Sequence, residues 1–167
     1  MRGRPPGKRE LDARAARLAA GDLLSRRAWT RHDLAARLRR RGAPPEVADA
    51  VVEDLVGRGY VDDAAFARHW IETRAARGYG AGRLRAELFA RGVAAPIVDR
   101  ALAGLAGDHA VTTARAAALK RLPALRRGDP ERVGPRLYDY LLRRGYAPSV
   151  ATRVVRDVAG HAEEAPD

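Results

Sequence analysis

A chain of 167 residues is long enough to bury a core, either as one domain or as a row of small units. It contains no cysteine, which removes disulfides, thiolate catalysis and Cys-based zinc sites. Its formal net charge of +11 makes a polyanion its natural partner, because Arg-rich surfaces release counterions from phosphates.

The charge is concentrated at the N-terminal end. Through Arg41 there are 13 Lys+Arg against 4 Asp+Glu, a net of +9, and the remaining 19 against 17 give only +2. Residues 1–10 (MRGRPPGKRE) read as a basic, solvated arm whose Arg2, Arg4, Lys8 and Arg9 are candidates for phosphate attraction. This start lacks the apolar core of a secretory signal, and no run of about 18 apolar residues follows anywhere. A soluble, cytoplasmic, monomeric protein with no membrane contact is expected.

After the arm, an Ala-rich segment from Leu11 to Arg26 has helical composition, and similar segments run from Asp62 to Arg77 and from His109 to Leu122. Each precedes one copy of an ungapped repeat: LAARLRRRGAPPEVADAVVEDL from Leu34, LRAELFARGVAAPIVDRALAGL from Leu84 and LYDYLLRRGYAPSVATRVVRDV from Leu137. The first half of each copy carries Leu34/Leu38, Leu84/Leu88 or Leu137/Leu141, then an Arg-Gly pair. The second half places apolar residues at steps of four, one and three, as in Val47, Val51, Val52 and Leu55, which is one face of a helix.

Gly42, Gly92 and Gly145 fall where a helix ends in a left-handed residue, and Pro44-Pro45, Pro96 and Pro148 fall where the next helix begins. The expected fold is all-α: three tandem three-helix, helix-turn-helix-like repeats forming an elongated, curved array. The boundaries are 11–60, 61–107 and 108–159, with an acidic tail at 160–167.

Joints between first and second helices share a staple. Trp29 precedes the N-cap Thr30 with Leu34 behind, Tyr79 precedes Gly80 with Leu84 behind, and Asp33 completes an approximate capping box with Thr30. The third unit enters differently, with Asp129 as N-cap and Pro130 as first helical residue.

The adjacent carboxylates Asp62 and Asp63 invite a metal or acid–base reading. Asp62 fits the N-cap of the middle unit's first helix, however, and Asp63 its first turn, with Val61 and Phe66 as another staple. Only His69 lies within two turns, and on a different part of the helix surface. Phe66 and Trp70, four apart, read as core. His32, His109 and His161 have no partners spaced for a triad or metal site, and RGYGAGRL lacks both the strand and the lysine of a phosphate loop. No catalytic residue, metal site or cofactor is expected.

The stretch GYVDDAAFARHWIETRAARGYGAGRLRAELFARGV, from Gly59 to Val93, resembles the middle segment of the RecX family, bacterial regulators of the RecA recombinase. The likeness rests on the Asp-Asp, the Phe-Ala three residues on, the Arg before a Gly, and the ending ELFARGV. SRRAWTRHDLAARLRRRG is similar to the family's Arg-Arg-x-x-Ser-x-x-Glu-Leu segment, with Thr30 and Asp33 for Ser and Glu, and LLRRGYAPSVATRVV resembles its closing Arg-Gly-Phe segment, here with Tyr146. Most of Leu11 to Val158 is covered, while RAAALKRLPALRRGDP departs from the pattern.

The resemblance implies tandem three-helix units, binding to RecA and to the RecA–DNA filament along its groove, and suppression of RecA ATPase and strand exchange in recombination, repair and the SOS response. It implies no catalytic residues.

Given Leu34 and Leu38 as the buried line, Arg39 and Arg40 point away from it and Arg37 lies at its edge. Arg85 and Arg143 are freer than Arg91 and Arg144 by the same count. These five are candidates for contact with RecA or a phosphate backbone. Arg41, Arg91 and Arg144, just before the glycines, suit either terminal carbonyls, a carboxylate of the next helix or a partner. The competing reading is a basic helical module that binds single- or double-stranded DNA nonspecifically without RecA, since the second helices lack the Asn, Gln and Ser that read base edges. A purely structural helical scaffold is the third.

Overall fold

The computed structural model of the protein describes residues 10–160, so the arm candidates Arg2, Arg4, Lys8 and Arg9 and tail residues 161–167 lie outside the described residues. Within them the chain forms helices α1 (Ala13–Arg26), α2 (Arg31–Arg40), α3 (Pro45–Gly57), α4 (Asp63–Ala75), α5 (Ala81–Ala90), α6 (Ala95–Leu102), α7 (Asp108–Arg126), α8 (Val133–Arg143) and α9 (Pro148–Gly160). Short 3-10 turns follow α6, at Ala103–Leu105, and precede α8, at Pro130–Arg132.

The helices pack in threes, and each trio closes over its own apolar cluster. The fold is thus all-α and built of three tandem three-helix units, as the repeat predicts. The paired leucines explain why: Leu34, Leu38, Leu84, Leu88, Leu137 and Leu141 are all fully buried, each at the same place in its unit. Burying each contributes roughly 1.5–3 kcal/mol. Around them lie Ala48, Val51 and Val52 from α3, Val98 and Leu102 from α6, and Ala151, Val154 and Val158 from α9, the faces stepped at helical spacing.

The three Gly turns are closed alike. The amides of Ala43, Val93 and Tyr146 donate back to the carbonyls of Leu38, Leu88 and Leu141, and those of Gly42, Gly92 and Gly145 to the residues one further on. These are the two hydrogen bonds of a Schellman ending, and the residue after each glycine turns inward, with Ala43, Val93 and Tyr146 all buried. The φ angles of Gly42, Gly92 and Gly145 are 105°, 71° and 89°, a region costly for any other residue. Tyr146 brings a hydroxyl into that buried place, where burial pushes its phenol above the usual range.

At the head of α4, Asp62 Oδ1 accepts from the amides of Ala64 at 2.8 Å and Ala65 at 2.9 Å. Replacing Asp62 with Ala strands both donors; urea unfolding should show a loss of about 1 kcal/mol with the folded structure unchanged. An unchanged midpoint would mean that water serves the two amides equally well.

The third unit differs from expectation at both ends of its first connection. α7 runs to Arg126, four residues beyond Leu122 and through Pro123, because Leu122 and Leu125 bury against the unit's core on either side of the exposed proline. Asp129 does accept a local amide, from Glu131 at 3.2 Å, but this holds the 3-10 turn, and α8 begins only at Val133.

Candidate interaction surfaces

The first and second units meet where the N-terminus of α2 abuts the turn between α5 and α6. Thr30, completely buried, donates through Oγ1 to the Arg91 carbonyl at 2.8 Å and accepts from the Asp33 amide at 3.1 Å. The Asp33 carboxylate does not return to its own helix as in a full capping box. It accepts instead from Arg91 Nη1 at 2.9 Å. The Asp63 carboxylate, nearly buried, accepts from the Arg31 amide at 2.9 Å. The two adjacent aspartates therefore have separate duties: Asp62 caps its own helix, while Asp63 satisfies a first-turn donor of α2 in the neighbouring unit.

The second and third units meet in the same way with different chemistry. Gly80 stands where Thr30 does, and its amide donates to the Arg144 carbonyl at 2.8 Å, while the Gly82 amide donates to the Gly145 carbonyl at 3.0 Å. Backbone lies directly on backbone here, since a Cβ on Gly80 would sit 2.6 Å from the Gly145 oxygen. In the first unit the corresponding turn is met by the residues just before α1, the Leu11 amide donating to the Gly42 carbonyl at 2.9 Å.

The arginines before the glycines reach back rather than forward to the next helix. Arg41 lies 3.7 Å from Asp22 of α1, Arg91 pairs with Asp33, and Arg144 Nη1 donates to the Arg77 carbonyl at 2.8 Å. They tie elements together.

In the middle unit, Glu87 gathers three donors. Arg74 binds it through two nitrogens, and Arg83 Nε and Trp70 Nε1 each donate at 3.0 Å. Burial alone would push the Glu87 carboxyl up, but the hydrogen bonds from Arg74, Arg83 and Trp70 outweigh it and hold the group below the usual carboxylate range. Trp70 is half-buried at the edge of the core, stacked on the buried Phe66 at 5.7 Å between centroids and covered by Arg91 at 4.2 Å. The sequence offers one trace of this cluster, the Arg83/Glu87 spacing of four on a helix.

The five arginine candidates separate into two groups. Arg39 is paired with Asp49 on α3 and Arg85 with Asp99 on α6, so each braces its own unit. Arg37 and Arg40 on α2 and Arg143 on α8 are exposed, and none has a carboxylate within ion-pair distance among the described residues. Among those residues, too, no three His, Cys, Asp or Glu gather closely enough to hold a metal ion, and no helix is long and apolar enough to cross a membrane.

Comparison with known proteins agrees with this architecture. Residues 16–55 match the family model for the first three-helix domain of RecX, and residues 62–102 that for the second. The chain is 42% identical over 151 residues to the regulatory protein RecX of Mycobacterium ulcerans, covering 88% of this chain and 84% of that one. It is also 42% identical over 159 residues to that of Thermobifida fusca, covering 92% and 85%. A crystal structure of RecX from Lactobacillus salivarius shares the fold, with a TM-score of 0.78 at 17% identity, covering 88% of this chain and 96% of that one. With these identities extending over nearly its whole length, the chain belongs to the RecX family of regulatory proteins.

Proposed function

We propose that this protein binds RecA and the RecA filament on DNA and lowers its ATPase, recombinase and strand-exchange activities, acting as a monomer in the cytoplasm in recombination and repair. The observation that carries the reading is the likeness over most of the chain to proteins named regulatory protein RecX.

The physical case is one of repetition. Three units with like turns present comparable faces in a row, and a helical polymer presents comparable faces in return, so weak contacts made in register reinforce one another. Arg37, Arg40 and Arg143 are the cations best placed to contribute, because among the described residues no carboxylate lies within ion-pair distance of them.

The test is RecA ATP hydrolysis on single-stranded DNA with this protein titrated in, at fixed salt. The expected result is loss of ATPase at amounts well below those that coat the DNA. Loss only when the DNA is coated, falling steeply with salt, would identify a nonspecific DNA competitor instead.

A further inference from the structure

Between the second and third units lies a groove of about 390 Å³, formed by the end of α4, one face of α7 and the inner side of α8. Arg77 comes from the turn after the first, Lys120 and Arg121 from the second, Tyr140 from the third and Arg144 from its C-terminal cap, over small residues of α7 such as Ala116 and Ala117. No carboxylate lines it, and none of the four cations has one within ion-pair distance among the described residues.

At the joint between the first and second units and in the middle unit's interior, by contrast, the half-buried arginines are matched: Arg91 to Asp33 and Arg74 to Glu87. Four like charges around one opening repel one another and raise the local potential, an arrangement that an anion relieves.

The groove is also ordered in advance. Arg144 is fixed by its bond to the Arg77 carbonyl and by packing against the rings of Tyr79 at 4.7 Å and Tyr140 at 5.0 Å. A guanidinium with five donors, one of them so engaged, keeps others for a ligand. Lys120 and Arg121 stand exposed on the opposite wall, and Arg121 also lies within 5.9 Å of the Tyr140 ring. Small floor residues leave room that a bulkier face of α7 would fill.

We infer that this groove binds the phosphodiester backbone of single-stranded nucleic acid, giving the protein a grip on DNA distinct from its contact with RecA. The fork geometry and fixed orientation of arginine suit phosphate oxygens, and the volume suits one strand, not a duplex. The inference takes its cellular setting from the proposed function but is tested without RecA, so the two fail separately.

The experiment is fluorescence anisotropy of a labelled oligo-dT with the full-length protein across a series of salt concentrations. The variants are Lys120→Glu/Arg121→Glu in the groove and Arg37→Glu/Arg40→Glu on α2, which alter net charge equally; circular dichroism and melting confirm that each is folded. The groove variant should lose about tenfold or more in affinity, with a salt slope shallower by about 1.4, the share of two phosphates, while the α2 variant loses at most about threefold. Should the groove variant prove unfolded, the milder Lys120→Gln/Arg121→Gln replaces it, expected to weaken binding by at least about fivefold. Equal losses in the groove and α2 variants, or no loss in either, would assign binding to diffuse charge and overturn the inference. Duplex DNA bound as tightly as oligo-dT, or poly-glutamate displacing oligo-dT at equal charge, would also overturn it.

Discussion

Replacing Gly145 with Ala is expected to destabilise the protein by about 3 kcal/mol and to loosen the third unit from the second. Two effects add. The φ of 89° strains any residue with a Cβ, at roughly 1–2 kcal/mol. The added carbon would also lie 2.3 Å from the Arg83 amide nitrogen and 2.5 Å from the Arg83 Cβ, and the first of these neighbours is backbone that cannot rotate aside. Gly59 supplies the control, because its φ is 76° but a Cβ there meets nothing within 4 Å. Gly59→Ala should therefore show the strain alone, roughly 1–2 kcal/mol. Chemical unfolding of both variants, with limited proteolysis across residues 77–83, measures the difference. If Gly145→Ala were no worse than Gly59→Ala, the close approach of the two turns would not persist in solution.

This joint shows where sequence reasoning stops. The repeat was legible because each unit buries the same two leucines and ends its second helix with the same glycine, and both facts arise from contacts a few residues apart. Gly80 and Thr30 are readable as N-caps on local grounds. Their larger role is to lie against a turn more than sixty residues along the chain, where Thr30 reaches the Arg91 carbonyl by its hydroxyl and Gly80 reaches the Arg144 carbonyl by its amide. One residue does this with a side chain and the other by having none, so no shared letter marks the function. Asp63 is the same case: a first-turn acid by local rules, it is taken up by Arg31 of the neighbouring unit. The extension of α7 beyond Leu122 escapes a local reading for a related reason, since Pro123, a residue that ordinarily ends a helix, is overridden by the burial of Leu125 in the third unit's core.

The candidate surface was legible in kind but not in detail. Counting positions from the buried leucines marks out the arginines that face outward. It does not show that Asp49 and Asp99 on the following helices engage Arg39 and Arg85 and leave Arg37, Arg40 and Arg143 without such partners among the described residues. Nor could it assemble the groove, whose cations come from α7 and from the turns after α4 and α8, in two units.

The interior electrostatics of the middle unit give the other large prediction. Glu87→Gln keeps the volume and an acceptor for Trp70 Nε1 but removes the charge that holds Arg74, which is only 22% exposed at its side chain. Leaving that guanidinium with no opposing charge beside Arg83 and near Arg91 should cost roughly 2 kcal/mol at pH 7, less than for a fully buried pair because water still reaches its edge. The pH dependence identifies the cause. A carboxyl held below its usual range binds its proton more weakly folded than unfolded, so its stabilisation is fully present above the unfolded value of about 4.3 and is lost as pH falls through the folded value. Glutamine does not titrate. The stability gap between the native protein and Glu87→Gln should therefore hold steady from pH 7 to about 5 and narrow below about 4.3. A gap unchanged down to pH 3 would show that shape and hydrogen bonding, not the charge of Glu87, bind α4 to α5.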